Sequence, residues 1–272
     1  MTMRTHILDV GRGDCIIIEL PNRSGQKAIG IIDCCNFDIM DQYMIDNRIS
    51  PDVVEFVVAT HPHEDHIGGI QEFLTKCKTD DIDVKMFWDS GYEHSSLVYQ
   101  NLTEYLANNP EINTWYPRTG LSVLFDKVKV RVLSPPDPLP TGTASDINNS
   151  SIVLLFSYGT SRLLFAGDAQ FANWAHINVD QQDWMNAQVL KVAHHGSKHG
   201  TFLEALEAIT PRIAIISGAN SVSYGSGGFP HHLTIDALLE EDVPEIYCTH
   251  DCGNIIIDSK ANRSHKVTRV TC

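Results

Sequence analysis

The chemistry in this chain concentrates in one six-residue run, His61-Pro62-His63-Glu64-Asp65-His66. Neutral imidazole nitrogens and carboxylate oxygens are the natural ligands of zinc and its divalent neighbours. In an extended segment, side chains two residues apart project the same way, so His61 and His63 can hold one ion together. The chain then turns into a helix, which sends Asp65 and His66 toward a second ion. Two further places supply the same donor types. Asp168 closes the run Leu163-Leu164-Phe165-Ala166-Gly167-Asp168, and a strand-end carboxylate after glycine is well placed to bridge two ions. His194 and His195 follow the apolar run 189–193. Adjacent histidines point in different directions, so one can ligate while its neighbour faces substrate. Two such ions lower the pKa of a shared water and polarise the scissile oxygen, and the resulting hydroxide attacks carbon or phosphorus. In that scheme Asp65 or Asp168 orients the water and takes its proton. His194 then protonates the leaving group, with Lys198 or His231 stabilising charge.

Residues so far apart in sequence need a scaffold that gathers strand ends. Short β-rich runs alternate with helical patterns throughout, which predicts an α/β protein. Strands are predicted over 6–10, 14–20, 28–33, 53–60, 84–88, 128–133, 151–158, 162–167, 189–193, 212–217, 245–249 and 254–258, with a weaker pattern at 266–270. Helices are predicted over 37–47, 67–76, 95–108, 201–208 and 234–240. Ile67, Ile70, Phe73 and Leu74 mark one buried face of the second helix, and Gly68-Gly69 just inside it permit close backbone approach. Gly11-Arg12-Gly13 reads as a hairpin turn, because no helix follows it to make a phosphate cradle. Residues 1–272 read as one domain whose halves join near 134–150, through the stiff Pro135–Pro140 connector. The segments 88–118 and 170–186 are expected to cap the site, with 171–184 as a loop.

The formal charge of −14 predicts an acidic surface, and no Lys/Arg-rich run offers the basic surface that tight nucleic-acid binding draws on. Seven cysteines, with Cys34 and Cys35 adjacent, make a poor disulfide framework. Cys248, His250 and Cys252 form a single ligand cluster, where structural zinc sites show two, so reduced thiols at a strand end are expected. No apolar stretch reaches the ~20 residues of a membrane span. With residues 4–10 running straight into a strand, a cytoplasmic protein without membrane association is expected.

The chain resembles the metallo-β-lactamase superfamily, and more narrowly the hydrolase domain of ComEC-type DNA-uptake proteins and their stand-alone relatives. The stretches that carry the resemblance run in order over nearly the whole chain. They are Leu8-Asp9-Val10-Gly11-Arg12-Gly13-Asp14, Ile31-Ile32-Asp33, residues 60–69, residues 149–154, Ala166-Gly167-Asp168 and Leu190-Lys191-Val192-Ala193-His194-His195-Gly196-Ser197, with the last strands over 249–257. The resemblance implies an αββα sandwich, two mixed sheets flanked by helices, with two Zn2+ or Mn2+ ions at one edge. It implies that His61 and His63 hold the first ion, Asp65 and His66 the second, and Asp168 bridges them. It favours His195 as ligand and His194 as the substrate-facing partner. Many superfamily members carry a further histidine ligand where this chain reads Asn148-Asn149-Ser150, so partial occupancy of one ion is expected. Two departures stand out. Phe229 occupies the place of a histidine in the segment from Tyr224 to His232, so that either His231 or His232 takes over its role or the role is lost, and Gln170 replaces an acidic residue after the Gly-Asp pair.

The activity this resemblance implies is a phosphodiesterase or nuclease, and the acidic balance turns it toward a small or single-stranded DNA, RNA or nucleotide substrate. A carboxylic ester, thioester or lactone hydrolase is the second reading, against which Asn149 counts. A metal-containing regulatory or scaffold subunit is the third, docking a protein through 88–115 or 171–184. Tryptophans such as Trp88, Trp115, Trp174 and Trp184 are, however, more often core than docking surface.

Overall fold

A computed structural model describes residues 1–21, 25–218 and 229–269. In chain order the strands begin with β1 (Met3–Ile7), β2 (Cys15–Glu19), β3 (Ala28–Cys34), β4 (Val53–Ala59), β5 (Asp83–Val84), β6 (Met86–Asp89), β7 (Asn113–Trp115) and β8 (Ser122–Phe125). They continue with β9 (Val128–Ser134), β10 (Val153–Tyr158), β11 (Ser161–Phe165), β12 (Val189–Lys191), β13 (Ile213–Ile216), β14 (Glu245–Cys248), β15 (Ile255–Ser259) and β16 (His265–Arg269). The helices are α1 (Phe37–Asp46), α2 (Glu64–Ile67), α3 (Ile70–Thr79), α4 (Leu97–Ala107), α5 (Asp146–Asn149), α6 (Phe171–Asp180), α7 (Leu203–Ile209), α8 (His232–Glu240) and α9 (Thr249–Cys252).

Two mixed sheets stack face to face. One has the order β16-β15-β1-β2-β3-β4-β6-β7, with β5 on β4, and the other β14-β13-β12-β11-β10-β9-β8. Apolar side chains from both sheets meet in a middle layer that includes Ile16, Ile18, Phe56, Trp88, Phe125, Phe156 and Phe165. The opposite face of the first sheet, with Ile17, Ile31 and Val57, packs under α1, α3 and α4. The opposite face of the second, with Leu155, Leu164 and Leu190, packs under α6, α7 and α8. Central strands are therefore apolar on both faces, which is why Ile16-Ile17-Ile18 runs without alternation. The edge-proximal β9 alternates instead, with Val128, Val130 and Val132 inward and Lys129 and Arg131 toward water.

The expected αββα sandwich is thus the fold. Several local readings need correction. The first strand lies three residues earlier than expected, at Met3–Ile7. The helix predicted over 67–76 is two helices, α2 and α3, with Gly68-Gly69 at the break. A Cβ on Gly69 would sit 2.3 Å from the Phe37 nitrogen, and one on Gly68 2.6 Å from the Cys35 oxygen, so the pair does allow backbone to pass against backbone. The segment 171–184 is no loop but α6 followed by a 3₁₀ turn, Gln182–Trp184. Trp88 and Trp174 are buried and Trp115 packs on the middle layer, whereas Trp184 is partly exposed, stacked on Arg131.

Gly30 gives a test of the middle layer. It faces Phe56 across β3 and β4, and a Cβ there would lie 1.9 Å from the ring's Cζ. Phe56 is hemmed in by Phe125, Phe156 and Trp88, so the ring has nowhere to go. Gly30→Ala should cost about 1–3 kcal/mol in denaturant unfolding, the usual penalty of overpacking; an unchanged midpoint would contradict this packing.

Candidate metal centre

The parallel pairs β3–β4 and β11–β12 end at the same edge of the sandwich, and their C-terminal loops supply the cage. His61 follows β4, Asp65 and His66 ride on α2, Asp168 follows β11 and His195 follows β12. The short helix α2 starts only one turn after β4, and that tight reversal brings His66 back over His61, ring centroids 4.2 Å apart.

Asp168 is 2 % exposed and stands between two sets of imidazoles. Its Oδ2 lies 3.7 Å from His61 Nε2 and 3.6 Å from His194 Nε2. Its Oδ1 lies 3.1 Å from His66 Nε2 and 3.6 Å from His195 Nε2. Asp65 Oδ2 is 3.7 Å from His195 Nε2, and His63 Nδ1 is 2.9 Å from His61 Nε2. Donor atoms of His61, His66 and Asp168, and those of Asp65, His66 and His195, lie within 4.8 Å of one another.

These donors fit divalent cations. The buried Asp168 Oδ1 accepts no well-aligned hydrogen bond despite its imidazole neighbours. His66 and His195 turn Nε2 atoms toward each other at 3.3 Å, so both nitrogens converge on one point, where a cation that displaces the shared proton would be held by both. Each of these rings is held from behind through its other nitrogen. His66 Nδ1 meets Asp33 Oδ2 at 2.7 Å, His195 Nδ1 meets the Ser217 carbonyl at 3.2 Å, and His61 Nδ1 meets Thr60 Oγ1 at 3.2 Å. A carbonyl or carboxylate behind the ring leaves Nε2 to ligate, the usual arrangement around metal-bound histidine. Asp33 is itself held by the Thr60 amide and hydroxyl, at 2.8 and 2.7 Å.

Burial pushes His61, His63 and His195 down, so all three are neutral near pH 7. Burial also opposes charge on His66, but Asp168 and Asp33 together outweigh it and raise this ring well above the ordinary histidine value. Burial opposes ionisation of Asp168, yet the surrounding imidazoles, His66 foremost, hold it well below the usual carboxylate range. At pH 7 the free site carries its proton on His66, and metal must displace it. Metal uptake should therefore release about one proton from this ring, and apparent affinity should rise with pH until His66 is neutral. Calorimetric titration with zinc in buffers of different ionisation enthalpy reads the proton count. Asp33→Asn should weaken binding about 10–100-fold, as loss of a partner behind a ligand usually does. Proton-neutral uptake would contradict the charge assigned to His66.

Other expected site residues fare differently. His194 reaches Asp168 and is stacked on Phe229, centroids 5.7 Å apart, with the Arg12 guanidinium 5.1 Å from the Phe229 centroid. Gln170 Nε2 donates to His194 Nδ1 at 3.0 Å, which leaves the proton on Nε2. Both histidines sit in the left-handed region, φ 50° and 52°, a strain held by the site around them. Lys198 is exposed and bonds to no cage residue among the described residues. His231 caps α8, its Nδ1 accepting from the Leu233 amide, and His232 is exposed at the first position of that helix. The structure thus brings neither Lys198 nor His231 into the cage, and Phe229 supplies a wall, not a replacement ligand. Residues 224–228 of the same segment lie outside the described residues. Asn149 is buried, its amide donating to Thr143 Oγ1 and its oxygen facing the Asn173 amide. Cys248 and Cys252 are buried beside the end of β14 and are not joined in a disulfide.

Sequence reading assigned no role to three charged residues behind the cage. Asp33 orients His66. Asp14 and Lys191 form a buried ion pair of 2.5 Å, with Asp14 Oδ1 3.7 Å from His195 Nδ1. The 11–13 turn does more than join strands. A Cβ on Gly13 would lie 2.5 Å from the Asp65 carbonyl, and Arg12 Nε reaches Asp65 Oδ2 at 3.5 Å.

Residues 8–219 match the metallo-β-lactamase superfamily. Among curated relatives, ComE operon protein 3 of Bacillus subtilis (strain 168) is 24% identical over 257 residues, covering 87% of this chain and 30% of that protein. Recombination protein 2 of Haemophilus influenzae is 26% identical over 186 residues, covering 68% of this chain and 20% of that protein. The chain therefore spans less than a third of the length of these relatives. Among solved structures, the metallo-β-lactamase fold protein YhfI from Bacillus subtilis superposes with a TM-score of 0.57 at 10% identity, covering 94% of this chain and all of that one.

Proposed function

Because this chain belongs to the metallo-β-lactamase superfamily, we propose that it is a dinuclear metal-dependent phosphodiesterase acting on nucleic acid or a nucleotide-like molecule. The coarse activity, metal-dependent hydrolysis, goes with the family, whose members bind divalent metals. The finer reading rests chiefly on the arrangement around Asp168, whose two oxygens serve two unequal donor sets. On the Oδ1 side stand His66 and His195, with Asp65 beside His195. On the Oδ2 side stand His61, with His63 beside it, and His194, whose Nε2 carries its proton and so donates rather than ligates, while the Asn149 amide is spent on Thr143 and Asn173. Fewer protein donors leave more of that coordination sphere to substrate oxygens, which suits the unesterified oxygens of a phosphodiester. Likeness to ComE operon protein 3 and Recombination protein 2 supports a nucleic-acid-related substrate.

When bound, a pair of divalent cations supplies an acidified water and positive charge for the phosphoryl oxygens. Zinc and manganese both suit the mixed imidazole and carboxylate set. His61, His63 and Asp168 would hold one ion, and Asp65, His66, His195 and Asp168 the other. His194 presents Nε2–H beside Asp168 and donates to the leaving oxygen, with Gln170 fixing the tautomer. Arg12 and Phe229, stacked on one another beside His194, flank the place where the ester would lie.

The test is turnover by metal-loaded protein of bis-p-nitrophenyl phosphate, short DNA, short RNA and a panel of lactones and thioesters, with Asp65→Ala as control. Hydrolysis confined to phosphodiesters, and lost in the control, supports the proposal. Preference for lactones or thioesters overturns it in favour of carbon-ester chemistry. Inertness with both ions bound overturns it in favour of a regulatory subunit.

A further inference from the structure

We propose that the cleft beside the cage lined by Glu93, His94, Tyr99, Gln100, Tyr116 and Arg118 is a nucleoside subsite, which seats the base and sugar attached to the scissile phosphate. It deepens the phosphodiesterase reading and rests on it only for the phosphate held at the cage.

The cleft, about 570 Å³, suits one nucleoside with its phosphate, not a duplex. It adjoins the cage through His94, whose ring stands edge-on to His63 with centroids 6.2 Å apart. Ser96 approaches His94 Nδ1 with its hydroxyl at 2.9 Å and its amide at 3.3 Å. Nδ1 is thus an acceptor and Nε2 carries a proton to offer an anion. Tyr116 is 60% exposed, a large ring face left to solvent within the cleft. Arg118 is half-buried, its Nη1 spent on the Ser90 and Pro117 carbonyls. Among the described residues no carboxylate lies within ion-pair distance of this guanidinium, although buried Asp89 beneath the cleft feels its charge, so its outer face is left for a ligand.

The cleft is also built. Gly91, at φ +76°, lies beneath both groups, and a Cβ there would come within 3.0 Å of Arg118 Nη2 and 3.2 Å of Tyr116 Cδ1. The floor is fixed by buried Asp89, which accepts from the Gly91 amide at 2.8 Å and the Tyr99 hydroxyl at 3.0 Å. Base stacking on an exposed aromatic ring, with a cation for the adjoining phosphate, is how single nucleotides are held without sequence readout. The phosphate at the cage meets the His94 proton, Arg118 adds positive charge deeper in the cleft, and the base lies on Tyr116. A chain of net charge −14 can attract such a ligand locally where it would repel a long polyanion.

The experiment compares kcat/KM of metal-loaded protein for thymidine 5′-(p-nitrophenyl phosphate) and for bis-p-nitrophenyl phosphate, which carries no nucleoside. Calorimetric binding of thymidine 5′-monophosphate is measured in parallel. Tyr116→Ala and Arg118→Gln should each lower the ratio of the two kcat/KM values, and weaken the monophosphate, by about tenfold or more. Tyr116→Phe, which keeps the ring, should restore both. If neither ester turns over but the monophosphate binds and both substitutions weaken it, the subsite stands and the phosphodiesterase reading falls. A ratio and a monophosphate affinity indifferent to both substitutions, or no binding of the monophosphate at all, overturn the subsite.

Discussion

Asp168→Asn should abolish turnover while leaving the sandwich folded. The substitution preserves the volume of a side chain that is 2 % exposed, so the packing around it is kept. What it removes is the one charge facing His61 and His194 through Oδ2 and His66 and His195 through Oδ1. Neither donor set keeps enough carboxylate to neutralise a divalent ion at close range. Loss of a group merely behind a metal ligand typically costs 10–100-fold. Loss of the group shared by both sites should therefore exceed about a hundredfold in metal affinity and in kcat/KM. The same change withdraws the foremost carboxylate that raises His66, so the metal-free variant should hold that proton less firmly. Metal content after dialysis, thermal melting and turnover of a phosphodiester together distinguish a lost site from a lost fold. Two tightly bound equivalents with undiminished activity in this variant would remove Asp168 from the centre of the site.

The cage was legible in the sequence because its first members are consecutive. His61, His63, Asp65 and His66 follow one strand, and their spacing alone sets which way each points. Asp168 and His195 were readable for a related reason, each closing an apolar strand with a donor at its end. Asp33, Asp14 and Lys191 carried a weaker signal of the same kind, charge embedded in runs such as Ile31-Ile32-Asp33 and Val189-Leu190-Lys191-Val192. A charge there is rarely buried unless paired, but the partner of Lys191 is 177 residues away, beyond anything local spacing can indicate. Helix α6 escaped for the opposite reason. Its buried Asn173 donates to Ser134 Oγ at 2.8 Å, while Phe171 and Val179 are exposed, so the hydrophobic stripe that marks a helix is inverted at both ends. The cleft around Tyr116 and Arg118 is invisible as a pattern, because it exists only where the loops after β6 and β7 meet over Gly91.

Lys191→Met should be among the most destabilising single changes in the molecule, at about 3–5 kcal/mol. Lys191 is 1% exposed on β12, and its ammonium is bonded to Asp14 at 2.5 Å. Burial alone would push the Asp14 carboxyl up. Lys191 foremost, with His195 and His66, outweighs that and holds it below the usual range. Methionine fills the space of the lysine stem, so the loss is electrostatic, not a cavity. It leaves Asp14 unpaired in the interior, repelled by Asp168 and with Oδ1 already lacking a hydrogen bond. Asp14 must then protonate or draw in water, and either shifts the loop that lies against Asp65, where the Asp14 amide donates to the Asp65 carbonyl at 3.0 Å. For a chain of this size the loss corresponds to a fall in Tm on the order of 10 °C. The pairing is tested by the double variant Asp14→Asn, Lys191→Met, which removes both charges. Its loss should be smaller than that of Lys191→Met alone, because a neutral amide is cheaper to bury than an orphaned carboxylate. If the single losses simply add, Asp14 and Lys191 act independently and the ion pair is not what holds the back of the cage.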